Sequence, residues 1–336
     1  MGDWRQRLSE EDRARLKKAA MPIWTRPMLA TLTDERFSSK EWIYERKLDG
    51  ERCLVFRDDK GATLYSRNRK PLDATYPELV DALERATGND YVADGEIVAF
   101  SGGLTSFSRL QKRIGITDAA EARRSDVRVW VYLFDLLYYD GSDIEDLPLR
   151  TRKRILRREM TFHDALRFTP HRNETGEAFF EEACDKGWEG LIAKRADSPY
   201  RHSRSRDWLK FKCVNRQEFV IGGYTDPQGS RKGFGALLLG YYENGKLRYA
   251  GRVGTGFDED TLERLHGSLE SRARKRPAFA DPPADGDGKV HWVSPALVAE
   301  VGFTEWTDDG YLRHPRFFGL RDDKAPRDVH REEATG

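Results

Sequence analysis

The sequence predicts an α+β protein with two domains, the first built from helices and antiparallel strands and the second a small β-barrel. The length of 336 residues allows two hydrophobic cores. Up to about residue 214, short strand-like runs separated by turns alternate with helical stretches. Beyond it, about five strands with one inserted helix indicate the barrel.

The elements of the first domain follow in order. Strands are predicted at 41–47, 52–57, 62–66, 91–100, 127–137 and 191–194. Helices are predicted at 76–87, 107–113, 149–159 and 176–186. The run from Asp58 to Gly61 is a hairpin signal. Before this domain, residues 1–20 read as a helical extension, which Pro22 and Pro27 end.

In the second domain, the predicted helix lies at 258–276 and the strands lie at 217–225, 236–243, 247–252, 290–303 and 311–318. This order is typical of an OB-fold barrel. The chain therefore divides into an extension (1–20), a first domain (21–214), an OB domain (215–330) and a tail (331–336). Residues 240–246 resemble a Walker A loop, but Leu247 replaces its hydroxyl residue and the segment reads as a hairpin turn.

Bulk composition excludes several classes of protein. The formal net charge is only +1, so a nucleic-acid partner would have to bind local basic clusters. The three cysteines are far apart in sequence, so neither a disulfide nor a zinc site is expected, as in a reducing cytosol. No apolar run reaches the roughly 18 residues of a membrane span, and the N-terminus lacks the apolar core of a signal peptide.

The most informative segment is the hexapeptide Lys-Leu-Asp-Gly-Glu-Arg that begins at Lys47. A single lysine is usually a surface cation. As a nucleophile it must react as the free amine, so its pKa must fall from about 10. Neighbouring cations lower it, and Arg52, Arg67, Lys210 and Lys212 are available if the fold brings them together.

Together with Glu45, this hexapeptide resembles the nucleotidyl-lysine motif of the covalent nucleotidyltransferases, which are DNA ligases, RNA ligases and mRNA capping enzymes. Further segments resemble the later motifs of that family, in its order, at 66–68, 94–98, 134–135, 189–194, 208–212 and 321–324. The resemblance covers about residues 21–328. It points to the ATP-dependent DNA ligases, and among them to the ligase modules of bacterial non-homologous end joining.

The resemblance implies a nucleotidyltransferase (adenylation) domain followed by an OB domain. It implies that Lys47 attacks the α-phosphorus of ATP to form lysyl-AMP, and that the AMP passes to a DNA 5′-phosphate. The 3′-hydroxyl then displaces AMP. Charge neutralisation dominates such displacements. Lys210 and Lys212 lie two apart on a predicted strand, so both face one way and are expected to cradle the α-phosphate.

The other implied nucleotide contacts are Arg52 as an anion-binding group, Arg67 near the ribose and the nick, Phe134 stacked on adenine, Glu45 at the adenine amine, and Lys194 of the E-G-x-x-x-K motif. A carboxylate at Glu45 favours ATP over GTP. Glu96 and Glu189 are the expected carboxylates for Mg²⁺ or Mn²⁺, with Glu96 also near the ribose. Arg321 and Lys324 are expected to grip pyrophosphate when the OB domain closes.

Alternative functions remain open. A capping guanylyltransferase would be labelled by GTP, and an RNA ligase usually lacks the OB domain with its R-x-D-K motif. An NAD-dependent ligase would need a nicotinamide-binding domain and a four-cysteine zinc element, neither of which is expected here. A binding module without catalysis would not need Lys47, Glu189 and Lys210 together.

Nicked or broken double-stranded DNA is the expected partner. Basic clusters that could bind its phosphates lie at 150–158, 201–206, 228–233 and 272–276, although each would more often be a solvated face. The resemblance also implies a Ku-type end-binding protein and polymerase or nuclease partners. We expect a monomer in the bacterial cytosol or nucleoid, with no membrane contact.

Overall fold

The computed structural model describes residues 3–213, 215–227, 232–283 and 289–332. The chain divides into two compact units, of which the first comprises residues 1–213 and the second residues 214–333. Each has its own hydrophobic core. The predicted α+β class is confirmed.

The helices of the described part are α1 (Glu10–Ala14), α2 (Pro77–Glu84), α3 (Phe107–Gln111), α4 (Ala119–Arg124), α5 (Leu149–Glu159), α6 (Gly176–Asp185) and α7 (Glu259–Glu270). Short 3-10 helices lie at Trp4–Arg7 and Pro326–Asp328. Helix α5 has the predicted bounds, because apolar residues recur at its inner positions. Helix α7 is shorter than predicted and is capped by Asp258.

The strands of the first unit are β1 (Lys17–Lys18), β2 (Leu29–Leu32), β3 (Trp42–Arg46), β4 (Glu51–Asp58), β5 (Gly61–Ser66), β6 (Tyr91–Val98), β7 (Phe100–Ser101), β8 (Leu104–Thr105), β9 (Trp130–Tyr139), β10 (Ser142–Asp143), β11 (Leu166–Phe168), β12 (His171–Asn173), β13 (Gly190–Arg195) and β14 (Arg204–Lys212). One sheet has the order β1-β10-β9-β6-β4-β5, with β11 beside β9. The other has the order β12-β3-β13-β14-β2. Most pairs are antiparallel, and the exceptions in these two sheets are β11 with β9 and β14 with β2.

The second unit contains β15 (Asn215–Thr225), β16 (Leu237–Glu243), β17 (Lys246–Val253), β18 (Ala273–Arg274), β19 (Val290–Phe303) and β20 (Arg316–Leu320). They form an antiparallel sheet in the order β17-β16-β15-β19-β18, with β20 beside β19. Helix α7 lies between β17 and β18 in the chain, as the predicted OB fold requires. Glu243 pairs with Lys246 across a tight turn, so the Walker A likeness is a hairpin, as predicted.

The N-terminal segment differs from its prediction. Only Glu10–Ala14 is α-helical, so the prediction of a helix over residues 1–20 is wrong in extent. The segment is also packed, because Trp4 and Leu8 are buried in the core of the first unit and Trp4 meets Tyr139 edge-on at 5.5 Å. This N-terminal segment is therefore held in place by a short capped helix and by two buried side chains, without a long helix.

The prediction that no disulfide forms is contradicted by the structure, which joins Cys184 and Cys213. Antiparallel pairing explains their proximity. Strand β14 returns along β13, and the N–H of Cys213 donates to the carbonyl of Glu189 at 3.0 Å, close to the end of α6. Spacing along the chain could not show this pairing. No helix in the described ranges is long and apolar enough to cross a membrane.

Candidate active site

The lysine of the hexapeptide lies where the two sheets of the first unit are connected. Strand β3 ends at Arg46, and the N–H of Lys47 donates to the carbonyl of Gly190 at 2.9 Å. On the other side of β13, Gly190 is paired with Lys212 of β14. The first residue of β13 therefore brings Lys47 and Lys212 to one edge of the sheet.

Gly190 has a conformation that explains its residue type. Its φ is +147°, and a Cβ there would lie 1.9 Å from the carbonyl oxygen of Phe211. Any larger residue would force β13 and β14 apart. The glycine of the E-G-x-x-x-K motif is thus required by the close approach of β13 to β14, the strand that carries the predicted catalytic Lys210 and Lys212.

The turn after Lys47 is held firmly by its neighbours. A Cβ on Gly50 would lie 2.1 Å from the carbonyl oxygen of Ile97, so the turn packs directly on β6. The carboxylate of Asp49 accepts from the N–H of Phe107 at 3.2 Å. The Asp-Gly pair of the hexapeptide therefore positions the lysine, as its turn chemistry predicts.

Lys47 has a partner that the sequence analysis did not foresee. Its ammonium forms an ion pair with the carboxylate of Glu189, whose side chain is only 6% exposed. The cations or metal ion that the sequence predicts around Lys47 disfavour the ammonium, whereas an adjacent carboxylate favours it. The structure therefore pairs the candidate nucleophile with a carboxylate that favours the ammonium form.

Lys210 and Lys212 lie on the same face of β14, as their spacing predicts. Lys210 is opposite Ile192 and Lys212 is opposite Gly190 in the register of β13. Both side chains are half-buried, whereas Phe211 between them is fully buried on the other face. The strand thus presents two cations at the edge that carries Lys47.

Arg52 is held by a buried carboxylate. Its Nε and Nη2 atoms each lie 2.6 Å from an oxygen of Asp94. The hydroxyl of Tyr200 donates to Asp94 at 2.6 Å and accepts from the N–H of Met28 at 2.8 Å. Burial alone would lower the pKa of Arg52, but the charge of Asp94 outweighs it and raises that pKa. Arg52 is therefore a fixed cation.

Glu96 and Arg67 lie at the same end of their sheet as Arg52. Glu96 is directly opposite Arg52 in the pairing of β4 and β6. Arg67 follows the last residue of β5, Ser66, which is opposite Cys53. The register therefore brings these two predicted nucleotide contacts next to Arg52.

Phe134 is nearly buried among cations and a second aromatic ring. The Nζ atom of Lys194 lies 4.1 Å from its ring centroid, and the guanidinium carbon of Arg52 lies 4.7 Å from it. Trp208 meets Phe134 edge-on at 6.0 Å and is 2% exposed, so it is a core residue, as predicted. Contacts between cations and an aromatic face are favourable without a ligand.

Glu45 is buried between two lysines. Its two oxygens lie 2.5 Å from Lys153 Nζ and 2.6 Å from Lys194 Nζ. Burial would raise the pKa of Glu45, but the two ammonium groups lower it. Burial lowers the pKa of Lys194 to about 8, and the charge of Lys153 acts in the same direction.

The described residues contain no group of three metal-binding side chains that could hold an ion by themselves. Magnesium commonly binds to one or two carboxylates together with substrate phosphates and water. Glu189 beside Lys47, and Glu96 beside Arg52, are carboxylates of that kind.

In the second unit, Arg321 and Lys324 are bound to acidic neighbours. Arg321 forms two 2.8 Å hydrogen bonds with Asp323 and one of 3.2 Å with Glu300. Lys324 Nζ lies 2.8 Å from the carboxylate of Glu218. The structure therefore keeps the basic residues of the R-x-D-K motif in a network within their own unit.

The predicted basic clusters differ in how far their side chains are exposed and paired. In the cluster on α5, Arg152 is fully buried against Asp135 and Lys153 is buried against Glu45, so neither can contact DNA directly. The cluster at 272–276 follows α7 and is exposed except for Arg272, which is half-buried. In the cluster at 201–206, Arg201 pairs with Asp207 at 3.2 Å. Part of the cluster at 228–233 lies outside the described residues.

Three residues of the site were missed as functional residues at the sequence level. Asp94 and Tyr200 hold Arg52, and Lys153 holds Glu45. Local signals existed for two of them: Asp94 opens the motif segment 94–98, and Lys153 falls on the same inner face of α5 as the apolar Leu149 and Leu156. Tyr200 carried no pattern, because its partner is 106 residues away in sequence.

Comparison with known proteins identifies the family of this chain. Residues 27–212 match the ATP dependent DNA ligase domain, and residues 230–324 match the ATP dependent DNA ligase C terminal region. The multifunctional non-homologous end joining protein LigD of Pseudomonas aeruginosa is 40% identical over 326 residues, which cover 95% of this chain and 38% of that protein. The chain therefore spans well under half the length of this relative.

Other relatives support the same family. A DNA ligase of Methanocorpusculum labreanum is 32% identical, with 86% of this chain and 53% of that protein covered. The solved structure of mycobacterial DNA ligase D complexed with ATP and MES is 36% identical and has a TM-score of 0.67. That match covers 92% of this chain and 98% of the solved one. This chain belongs to the family of ATP-dependent DNA ligases.

Proposed function

We propose that the protein seals nicks or breaks in double-stranded DNA with ATP, through a lysyl-AMP intermediate on Lys47. The observation that carries this proposal is the edge built around Gly190, which anchors Lys47 on one side and Lys212 on the other. Lysine nucleophiles need a positioned amine and a cation for the phosphate that they attack. Both are present at this edge.

The chemistry would run in three displacements at phosphorus. Lys47 Nζ loses its proton and bonds to the α-phosphorus of ATP as pyrophosphate leaves. An oxygen of the DNA 5′-phosphate then takes the AMP, and the N–P bond breaks. Finally the 3′-hydroxyl loses its proton and bonds to the 5′-phosphorus as AMP departs. Lys210 and Lys212 would neutralise charge on the phosphate that is attacked first.

The nucleotide would lie along the residues that surround Lys47. We assign Phe134 and Lys194 to the adenine, and Arg52 and Arg67 to the ribose and phosphate side. Stacking on Phe134 requires that Lys194 or Arg52 give up a ring face. Glu45 can accept from the adenine amine and still keep both lysines, because an ionised carboxylate has about four lone-pair sites.

Glu189 and Glu96 would hold a divalent cation, Mg²⁺ or Mn²⁺, in the presence of the nucleotide. When bound, such a cation supplies positive charge to the phosphate oxygens. Glu189 also sets the protonation of Lys47, because the same carboxylate now stabilises the ammonium. The loss of the proton from Lys47 is therefore coupled to the binding of the divalent cation by Glu189.

Arg321 and Lys324 would contact the leaving pyrophosphate during self-adenylylation. Asp323 supports this role, because it holds the guanidinium of Arg321 through two hydrogen bonds and keeps it charged. The role needs the OB domain as a separately moving part. We accordingly retain the division into an extension (1–20), an adenylation domain (21–214), an OB domain (215–330) and a tail (331–336).

The similarity to the LigD proteins suggests a role in double-strand break repair by non-homologous end joining. In that setting the partners would be broken or nicked DNA, a Ku-type end-binding protein and polymerase or nuclease modules. A monomer in the bacterial cytosol or nucleoid is part of the same proposal.

Labelling of the protein tests the function directly. The protein is incubated with magnesium and either α-labelled ATP or α-labelled GTP, and protein-bound label is measured. We expect label from ATP only and none in Lys47→Ala. Label from GTP alone would favour a capping enzyme, and labelling that persists in Lys47→Ala would contradict the proposal. Sealing of nicked DNA but not nicked RNA would then identify the substrate.

A further inference from the structure

A basic cavity lies on the first unit, beside helix α5. Its volume is about 550 Å³, and it is lined by Arg150, Lys153, Arg154, Arg157 and Arg158 of the helix and by the segment from Phe168 to His171. The residues that line it include no carboxylate, and two of its cations have acidic partners behind the lining: Arg154 lies 3.9 Å from Asp12, and Lys153 is paired with Glu45. This concentration of cations is local, since the whole chain has a net charge of only +1. We call this cavity the α5 groove.

The cations of the α5 groove form a row. The arginines at 150, 154, 157 and 158 are all exposed and recur at helical spacing, so they follow one face of α5. With a rise of 1.5 Å per residue, the row spans about 12 Å along the helix axis from Arg150 to Arg158. A single small anion would need one or two of them, whereas a row suits a linear polyanion.

The inner wall of the groove is already ordered. The ring of Phe168 lies 4.7 Å from Lys153 Nζ and 5.2 Å from the guanidinium carbon of Arg157. His171 has a buried Nδ1 atom for which the described residues provide no hydrogen-bond partner. Two cations therefore lie against the Phe168 ring, where an apolar partner would have to pack. The Nδ1 atom of His171 is left for a polar ligand.

We propose that the α5 groove binds the sugar-phosphate backbone of a nucleic-acid strand, as a contact additional to the nucleotide site. Arginine binds phosphate through paired N–H donors and needs no base sequence to do so. That this strand belongs to the substrate DNA rests on the proposed function. An acidic protein segment would present carboxylates to the same arginines, so it is the competing occupant that the test must separate.

The groove is tested by the salt dependence of DNA binding. A fluorescent nicked duplex is titrated with the wild type and with the triple variant Arg154→Ala/Arg157→Ala/Arg158→Ala, between about 50 and 200 mM salt. Each lost phosphate contact lowers the slope of log affinity against log salt by about 0.9. We therefore expect the slope to fall by about 2 to 3 in the groove variant.

The matched control removes the same charge elsewhere on the first unit. Lys60→Ala/Lys112→Ala/Arg124→Ala substitutes three cations that are also exposed and lie outside the groove. We expect the slope of this control to differ from that of the wild type by less than about 0.9, the contribution of one phosphate contact. An unchanged slope in the groove variant, or an equal fall in the control, overturns the proposal.

Two further measurements separate the causes of failure. Self-adenylylation with ATP should be unchanged in both triple variants, and its absence in the wild type would instead refute the proposed function. If the groove variant binds DNA normally but needs more ATP for self-adenylylation, the groove takes free phosphates and the proposal is wrong. Poly-glutamate that displaces DNA from the wild type as well as an unlabelled oligonucleotide does would favour the acidic segment and also overturn it.

Discussion

The buried Lys194 makes the stability of the protein depend on pH in an unusual direction. Its side chain is 2% exposed, and burial lowers its pKa from 10.5 to about 8. Between these two values the unfolded chain holds a proton that the folded chain has lost. The free energy of unfolding must therefore rise with pH across this window. We predict that Lys194→Met removes this rise.

The size of the effect follows from the difference in pKa. A difference of about 2.5 units corresponds to roughly 3 kcal/mol, because each unit is worth about 1.4 kcal/mol. Most of it, roughly 2 to 3 kcal/mol, falls between pH 7 and 10. The unfolding free energy of the wild type minus that of Lys194→Met should increase by this amount over that range. Titrating groups that do not interact with Lys194 are common to both proteins and cancel.

Urea unfolding followed by tryptophan fluorescence at several pH values measures this difference. Trp208 is a suitable probe because its ring lies 4.1 Å from Lys194 Nζ. The control is Lys60→Met, an exposed position, for which the difference from wild type should be flat. A flat or falling difference for Lys194→Met would mean that the ammonium is not buried as the structure has it.

Three other predictions concern separate parts of the protein. Tyr200→Phe removes the hydroxyl that hydrogen-bonds to Asp94 and Met28. It should lower the free energy of unfolding by about 2 kcal/mol. An unchanged urea midpoint would contradict the Tyr200–Asp94 hydrogen bond. Arg321→Ala and Lys324→Ala should mainly impair self-adenylylation, so pre-adenylylated protein should still seal nicks; if it seals as poorly as with ATP, the assigned role is wrong. Thiol titration of the denatured, unreduced protein should count one cysteine, Cys53, and all three after reduction; three thiols before reduction would exclude the disulfide.

Local patterns determined much of the fold. Helix α5 begins and ends where its spacing predicts, and β3 to β5 lie within a residue or so of their predicted bounds. Alternation and helical spacing depend on neighbouring residues only, so they can be interpreted without a structure. The three-residue strands β11 and β12 were not predicted, because three residues are too few to show any period.

Long-range pairings could not be predicted in the same way. The disulfide depends on the register of β13 with β14, and Trp4 is buried because β9 passes beside it. The basic cluster of 150–158 also looked uniform in sequence, but its inner members are buried and its outer members line a groove. Which face of a helix is covered depends on elements that are distant in sequence.

The sequence by itself determined which residues are available for the chemistry: Lys47 on a turn, two lysines on one face of a strand, and Gly50 and Gly190 inside their motifs. Only the tertiary structure decided their partners. Lys47 is held by Glu189, Glu45 by Lys153 and Lys194, and Arg52 by Asp94. The physical reason is that the charge state of a buried group depends on desolvation and on charges within a few ångströms. Those distances exist only after the strands have paired.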